Sequence, residues 1–300
     1  MAGNHLVARQ DDADFRVPEE FEGHARGFRS WAVIDEHSPS VHMGFGICEL
    51  DPYGSVAWHV HAFEESFYVL SGELVCETED GAFLLTEGDY GVVPVGASHA
   101  WRNPGGSAAR WAQMTAPQPR TSARHTYIVE SRTSAGQPTP LDVQDPRTRA
   151  FGHVSPQNMD VDQQTQDRLK VSASMRTALL VYSGITVKMM VDSDLGADLS
   201  TMFMVQYVPG GFAGAHDHPL EEAYLILDGE VDAVFDGQSY RLTAGDIALA
   251  GVGCTHEFAN PGMGPVRWLE TQAPQPPGRH SYRFARDWTY LAGTLDSQAH

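Results

Sequence analysis

The stretch that decides the fold runs from Gly54 to Asn103. It reads Gly54-x4-His59-x-His61-x3-Glu65-x6-Gly72 and then, after fifteen residues, Gly88-x5-Pro94-x-Gly96-x2-His99-x3-Asn103. The same spacing returns 157 residues later as Gly211, His216, His218, Glu222, Gly229, Gly245, Gly253, His256 and Asn260. The shift holds beyond these positions: Ala116-Pro117-Gln118-Pro119 recurs as Ala273-Pro274-Gln275-Pro276, Arg110-Trp111 as Arg267-Trp268, and Pro52 matches Pro209. An offset held over more than sixty residues predicts two copies of one folding unit, with almost no insertion in either.

Around these motifs the chain breaks into short β-rich runs, such as 41–49, 56–60, 66–70, 73–78 and 109–115, punctuated by Gly, Pro, Asp and Asn. Runs of that length and spacing predict an all-β sandwich or barrel rather than βαβ units. Glu79-Asp80-Gly81, and Asp236-Gly237 in the second copy, read as hairpin turns. Residues 1–30 are polar and acidic and read as an N-terminal arm, with Phe15, Phe21 and Phe28 as anchors to a neighbouring surface. The first barrel is expected over 31–125 and the second over 171–290. A connection rich in Pro, Ser, Thr and Gln fills 126–170, with one strand-like piece at 126–130, and a polar tail occupies 291–300.

Three hundred residues accommodate two such units, and 42% apolar with 20% charged residues is a soluble globular composition. Twenty basic against 39 acidic side chains give a net charge of −19, which argues against a nucleic-acid backbone or an anionic membrane as partner. Cys48, Cys76 and Cys254 form no CxxC pair and no disulfide framework, so a reducing, cytoplasmic setting is expected. The first ten residues lack the basic-then-apolar pattern of a secretory signal, and no run approaches the roughly twenty apolar residues of a membrane helix. Phosphate-loop, nucleophile-elbow, kinase and dinucleotide fingerprints are not found.

On a strand, residues i and i+2 face the same side, so His59 and His61 point together into a barrel, as do His216 and His218. Glu65 shares a face with Phe67 and Val69 on the next strand, and His99 closes the set from a distant one. A single His on an apolar strand is usually a hydrogen-bonded core residue. Here six of the fourteen histidines and two glutamates fall into two matching arrays. Three neutral nitrogens and one carboxylate suit a divalent transition metal (Mn, Fe, Co, Ni, Cu or Zn), one per barrel. The set contains no thiolate, which argues against a structural zinc site and for open coordination positions.

Both segments resemble the cupin superfamily, whose motifs are G-x5-HxH-x3/4-E-x6-G and G-x5-PxG-x2-H-x3-N, and in tandem they resemble a bicupin. The likeness covers most of residues 31–290. It departs from the pattern at the glycine before each HxH, one residue closer than usual, and at Gly251, which stands where proline is usual and loosens that turn. The resemblance implies two tandem jelly-roll β-barrels. It also implies His59, His61, Glu65 and His99 as ligands of one metal, and His216, His218, Glu222 and His256 as ligands of another. A homo-oligomer is expected on the same ground, with the arm exchanged between neighbours.

Strand alternation places Phe67 and Trp101 by the first metal and Tyr224 and Phe258 by the second, as walls of a substrate pocket. Cys254 reads as a small filler, with a soft group close to the metal as the alternative. The methionines of the second copy read as core, with adaptable pocket walls as the alternative. Arg110 and Arg267 read as a structural pair used alike in both copies, with a substrate-carboxylate clamp as the alternative. Glu49 and Glu270, replaced by Gln206 and Gln113 in the other copy, read as surface groups, with a cavity position as the alternative. The leading expectation is a metal-dependent enzyme acting on a small organic molecule, a quercetinase-like dioxygenase with Glu65 or Glu222 as general base. Its rivals are an oxygen-independent hydrolase, decarboxylase or isomerase resembling ureidoglycine aminohydrolase or oxalate decarboxylase, and a non-catalytic small-molecule-binding cupin.

Overall fold

The computed structural model describes residues 3–130, 137–142, 144–160, 177–180, 184–275 and 283–284. The tail expected at 291–300, the first six and the last residues of the second barrel, and residues 161–170 of the junction lie outside the described residues. The fold is all-β, two curled jelly-roll barrels in tandem, as the alternation predicts.

In the first domain the 18-residue strand Gly44–His61 is the spine. Its first half pairs with Ala109–Ala116, its second with His99–Arg102, and Ala25–Ile34 runs along both. Tyr53, at φ +58°, marks the bend between the halves. In the second domain the equivalent run is divided into Thr201–Tyr207 and Phe212–Asp217, which lie in separate sheets. The hairpins form where expected: Thr78 pairs with Gly81 and Phe235 with Gln238. Asp236 and Gly237 both have positive φ (+47° and +81°), the turn that follows the twist of the flanking strands.

Period two sorts the core into three bodies. Alternate residues of each barrel face inward, giving one interior around Phe67, Val69, Trp101 and Trp111 and another around Tyr224, Ile226, Phe258 and Trp268. The opposite faces meet between the domains, where Met43, Tyr68, Met114, Met190, Met202, Met204 and Leu225 form a third cluster. The second copy's methionines thus serve largely as packing between domains, where an unbranched side chain fits an irregular gap.

Two carboxylates lock this interface reciprocally. Glu64, 2% exposed, accepts hydrogen bonds from the backbone N–H groups of Asp198 (2.6 Å), Leu199 (3.1 Å) and Ser200 (3.1 Å) and from the Ser200 hydroxyl. Its counterpart Glu221 accepts from Val41 N (2.7 Å), His42 N (3.0 Å) and Ser40 Oγ (2.6 Å). Each sits one residue before the glutamate of its motif.

The strand ahead of each domain pairs with the other domain's sheet. His5–Ala8, in the arm, extends the second domain's sheet by pairing with Ile247–Ala250, while Phe151–His153 does the same for the first domain at Asp89–Gly91. Matching ion pairs fasten the two caps: Arg9 to Asp246 at 2.7 Å and His153 to Asp89 at 2.9 Å. The arm's strand is therefore engaged within its own chain. Its path also explains Gly251. The N–H of Gly251 donates to Asn4 O at 2.9 Å, which proline cannot do, and a Cβ there would lie 2.3 Å from Asn4 Oδ1. The turn is tied by the arm instead of loosened.

Candidate metal centres

Strand pairing builds each centre. His59 lies directly opposite His99, and His216 directly opposite His256. Their rings approach to 4.1 and 4.2 Å between centroids. In the first domain one donor atom from each of His59, His61, Glu65 and His99 lies within 4.8 Å of all the others, and all four residues are buried. In the second, His216, His218 and His256 meet that criterion, and Glu222 is set back. Its Oε2 lies 2.9 Å from His218 Nε2 and 3.3 Å from His256 Nε2.

The histidines are oriented from behind. The Nδ1 atoms of His59, His99, His216, His218 and His256 face the carbonyl oxygens of Ala57 (2.7 Å), Ala97 (3.2 Å), Gly214 (2.7 Å), Leu220 (2.8 Å) and Cys254 (2.9 Å). A carbonyl only accepts, so Nδ1 carries the hydrogen and the Nε2 lone pair is turned to the centre. His61 Nδ1 meets the Thr126 hydroxyl at 2.9 Å. Inside, His61 Nε2, Glu65 Oε1 and His256 Nε2 are buried without a hydrogen-bond partner. Buried lone pairs converging on one point are costly unless a cation satisfies them, and the donors are those a divalent transition metal takes. The residues present fit such an ion in both domains.

Electrostatics agree. Burial, then the neighbouring His99 and His61, pushes His59 down to about 2, and burial, then His256, pushes His216 down to about 4. Burial raises Glu65, but the neighbouring His61 and His99 outweigh it and hold the carboxyl well below its ordinary value. Glu222 is likewise raised by burial but held low by His218 and His256. Burial lowers His218, yet the Glu222 carboxylate leaves it raised. Acid is therefore expected to destabilise the metal-free protein from about pH 6.5 downward. Below that value the unfolded state protonates His59 and His216 while the folded state does not, until about 2 and 4 respectively. Glu65 and Glu222 add to the same slope below 4.5, where only their unfolded forms take up protons. His218 opposes it above 6.5, since its contribution is lost as pH rises through its folded value. Each uncompensated group amounts to about 1.4 kcal/mol per pH unit. Urea midpoints that stay flat between pH 7 and 5 would contradict this.

The residues behind the centres differ between copies. Tyr224 Oη and Gln272 Nε2 donate to the two oxygens of Glu222. Glu270, buried and accepting from Trp268 Nε1 at 2.9 Å, is raised well above the carboxylate range by burial and then by Glu222. The first copy has Phe67, Thr115 and Gln113 at these three positions, and Trp111 Nε1 has no hydrogen-bond partner. Glu270 is thus an interior group, not a surface one. Glu49 is buried too, but against Arg29 and Arg110 and away from the centre. Arg267 instead approaches the exposed Asp228 at 3.7 Å, so the two arginines are not used alike.

Phe67 and Trp101 pack edge-on at 5.0 Å in the interior beneath His99, and Tyr224 and Phe258 pack at a tilt, 4.8 Å apart, beneath His256. Neither Phe67 nor Trp101 lines the cavity that reaches the first centre. That cavity, about 510 Å³, touches His61, Cys48 and Gln113 and is walled by Phe21, Phe28, Trp31, Phe45 and Phe63. Phe63 stacks on His61 at 4.1 Å and Phe21 meets His59 edge-on at 4.9 Å. Of these, sequence reasoning marked Phe21 and Phe28 only as anchors of the arm. Phe63 and Thr126 gave no signal, because their roles depend on which strands pair. A second cavity of about 620 Å³, between the domains at Tyr68, His153, Met204 and Arg267, touches neither centre. Cys254, its thiol pushed up to about 12 by burial and then by Asp236, groups with His5 and Asp236 rather than with the His256 cluster.

Tandem jelly rolls, each gathering buried imidazoles about one point, define a two-centre β-barrel protein of metal-binding type. The family profile described as "Cupin domain" matches residues 46–115 and again 203–271. The chain is a bicupin, with two cupin domains in tandem. Among solved structures it is similar to the oxalate decarboxylase of Lactobacillus farciminis in its formate complex (TM-score 0.63, 17% identity, covering 98% of this chain and 93% of that one). It is similar also to the oxalate decarboxylase of Bacillus subtilis (0.63, 15%, 97% and 82%) and to a putative glyoxylate-induced protein of Pseudomonas aeruginosa (0.64, 16%, 94% and 92%). At these identities the likeness is one of fold. Over 92 residues, 30% of this chain, it is 29% identical to the HTH-type transcriptional regulator PuuR of Escherichia coli (strain K12) and to that of Shigella flexneri. The chain spans about half the length of these curated relatives (49%). Among the described residues no helix is long and apolar enough to cross a membrane.

Proposed function

We propose that the chain is a metal-dependent enzyme acting on a small organic molecule, a dioxygenase of the quercetinase-like type, with its chemistry in the first domain. His59, His61, Glu65 and His99 hold the ion there, and His216, His218, His256 and Glu222 hold a second. When bound, a transition-metal ion supplies Lewis acidity and access to dioxygen chemistry. The observation that carries the reading is the cavity at His61: about 510 Å³ with an aromatic wall, of a size for a ring-bearing substrate. Its one arginine, Arg16, is at the rim with its side chain 80% exposed and paired with Asp14, a poor arrangement for gripping a small dicarboxylate. Phe21, Phe28 and Phe63 position the rings and exclude water. Glu65 takes the proton of a substrate hydroxyl, since its Oε1 has no hydrogen-bond partner, whereas both oxygens of Glu222 are already engaged.

A second reading, an oxygen-independent decarboxylase, hydrolase or isomerase, is favoured by the near-complete coverage of the oxalate decarboxylase fold. Incubation with a panel of flavonols and catechols on one side and oxalate on the other separates the two. The dioxygenase is expected to consume dioxygen in step with substrate and to stop under argon. Turnover that proceeds unchanged without dioxygen removes it in favour of the second reading.

A further inference from the structure

Away from both centres, three donor types from three separate segments meet where the arm joins the second domain. His5 opens the strand His5–Ala8, Asp236 sits in the hairpin turn, and Cys254 lies in the loop before His256–Ala259. One donor atom from each lies within 4.8 Å of the other two. His5 is held on its far side: its ring stacks on Phe235 at 5.6 Å, and Nε2 lies 3.1 Å from Gln238 Oε1 and 2.9 Å from Tyr240 Oη. Tyr240 donates its own hydrogen to Gln238 Oε1 at 2.8 Å, which marks that atom as an acceptor and makes His5 Nε2 a donor. In the neutral ring Nδ1 then carries the lone pair. That atom is buried, on a side chain only 6% exposed, and has no hydrogen-bond partner. The nearest carboxylate oxygen, Asp236 Oδ2, is 4.0 Å away and also offers only lone pairs. Asp236 is fixed in turn, its Oδ1 accepting from Thr255 N at 3.0 Å, so Oδ2 is left facing His5. A buried imidazole lone pair held facing a carboxylate, here that of Asp236 with its side chain 37% exposed, calls for a cation between them.

We propose that His5, Asp236 and Cys254 form a third metal site, for Zn²⁺ or a similar borderline-soft divalent ion, which pins the N-terminal strand to the second domain. Mixed nitrogen, oxygen and sulfur donors select such an ion over Mg²⁺ or Ca²⁺, which take oxygen. Three protein ligands leave a fourth position for water, and binding releases the Cys254 thiol proton to solvent. The first domain provides an internal comparison. Glu79 and Ala97 stand where the second has Asp236 and Cys254, and Ser98 Oγ closes on Glu79 at 2.8 Å. At this position the thiol occurs only in the domain that receives a histidine from the arm.

The site can be read separately from the His-rich centres because it alone includes sulfur. The full chain, stripped of metal and titrated with Co²⁺, is expected to develop a thiolate-to-cobalt charge-transfer band in the near ultraviolet, with about three ions bound per chain at saturation. Cys254→Ala, which installs the residue the first domain already uses, should abolish the band and lower the stoichiometry by one, with far-ultraviolet circular dichroism unchanged. Cys48→Ala should retain the band. Asp236→Asn keeps an oxygen for Thr255 N and should weaken Co²⁺ binding by at least tenfold, as should His5→Ala. The proposal is overturned if wild-type protein shows no such band, if the band survives Cys254→Ala, or if His5→Ala binds Co²⁺ as the wild type does. A direct contact of His5 with Asp236, with no ion, is the reading that would then stand.

Discussion

Protein carrying His59→Ala and His99→Ala is expected to retain no ion in its first domain and to lose turnover with it. The two rings are paired directly across neighbouring strands, and each is aimed by a carbonyl behind it. Loss of an outer partner of a metal ligand costs about 10–100-fold in affinity, so loss of two ligands should cost more than about 100-fold. The matching His216→Ala and His256→Ala protein should keep its first-domain ion and most of its activity, because the cavity of about 510 Å³ reaches the first centre and Glu65 is unencumbered at Oε1. Elemental analysis after dialysis measures the ions, and steady-state rates on an active substrate measure the consequence. Equal loss of turnover in the two double variants would remove the assignment of chemistry to the first domain.

Glu64→Ala should be among the most destabilising single substitutions. Its carboxylate receives three backbone N–H groups and a hydroxyl from across the domain interface, and Ser200, which supplies two of the four, is itself 1% exposed. Removing the acceptor leaves buried donors unpaired at about 1–3 kcal/mol each, not additively, for an expected loss of about 3–5 kcal/mol. Urea denaturation provides the measurement. A loss below about 1 kcal/mol would mean that water reaches those donors and that the interface rests on its methionines and aromatics alone.

Much of this molecule was legible from one chain. The 157-residue repeat, the alternation of apolar residues and the two HxH arrays are local or periodic signals, and they fixed the barrels and gathered the imidazoles. What was not legible depends on distant pairing. Glu64 and Glu221 carry no local signal of their role, because their partners lie some 130 to 180 positions away. Glu270 reads as a surface carboxyl until strand pairing sets it beside Tyr224. Phe67 and Trp101 have the correct inward phase, but phase cannot tell the packed floor of a barrel from the wall of its cavity. The wall came instead from Phe21 on the arm and Phe63 after the HxH motif. The glycine at 251 looked like a weakened turn because the strand that ties it is nearly 250 residues earlier.

The crossed edge strands also carry a consequence for biosynthesis. Residues 5–8 leave the ribosome about 240 residues before their partners at 247–250, a wait on the order of tens of seconds at about 5–20 residues per second. The first barrel, whose closing strand ends at His153, can finish meanwhile. The second must draw on the earliest part of the nascent chain for its last edge, so His-Leu-Val-Ala spends that interval unpaired and available to another polypeptide.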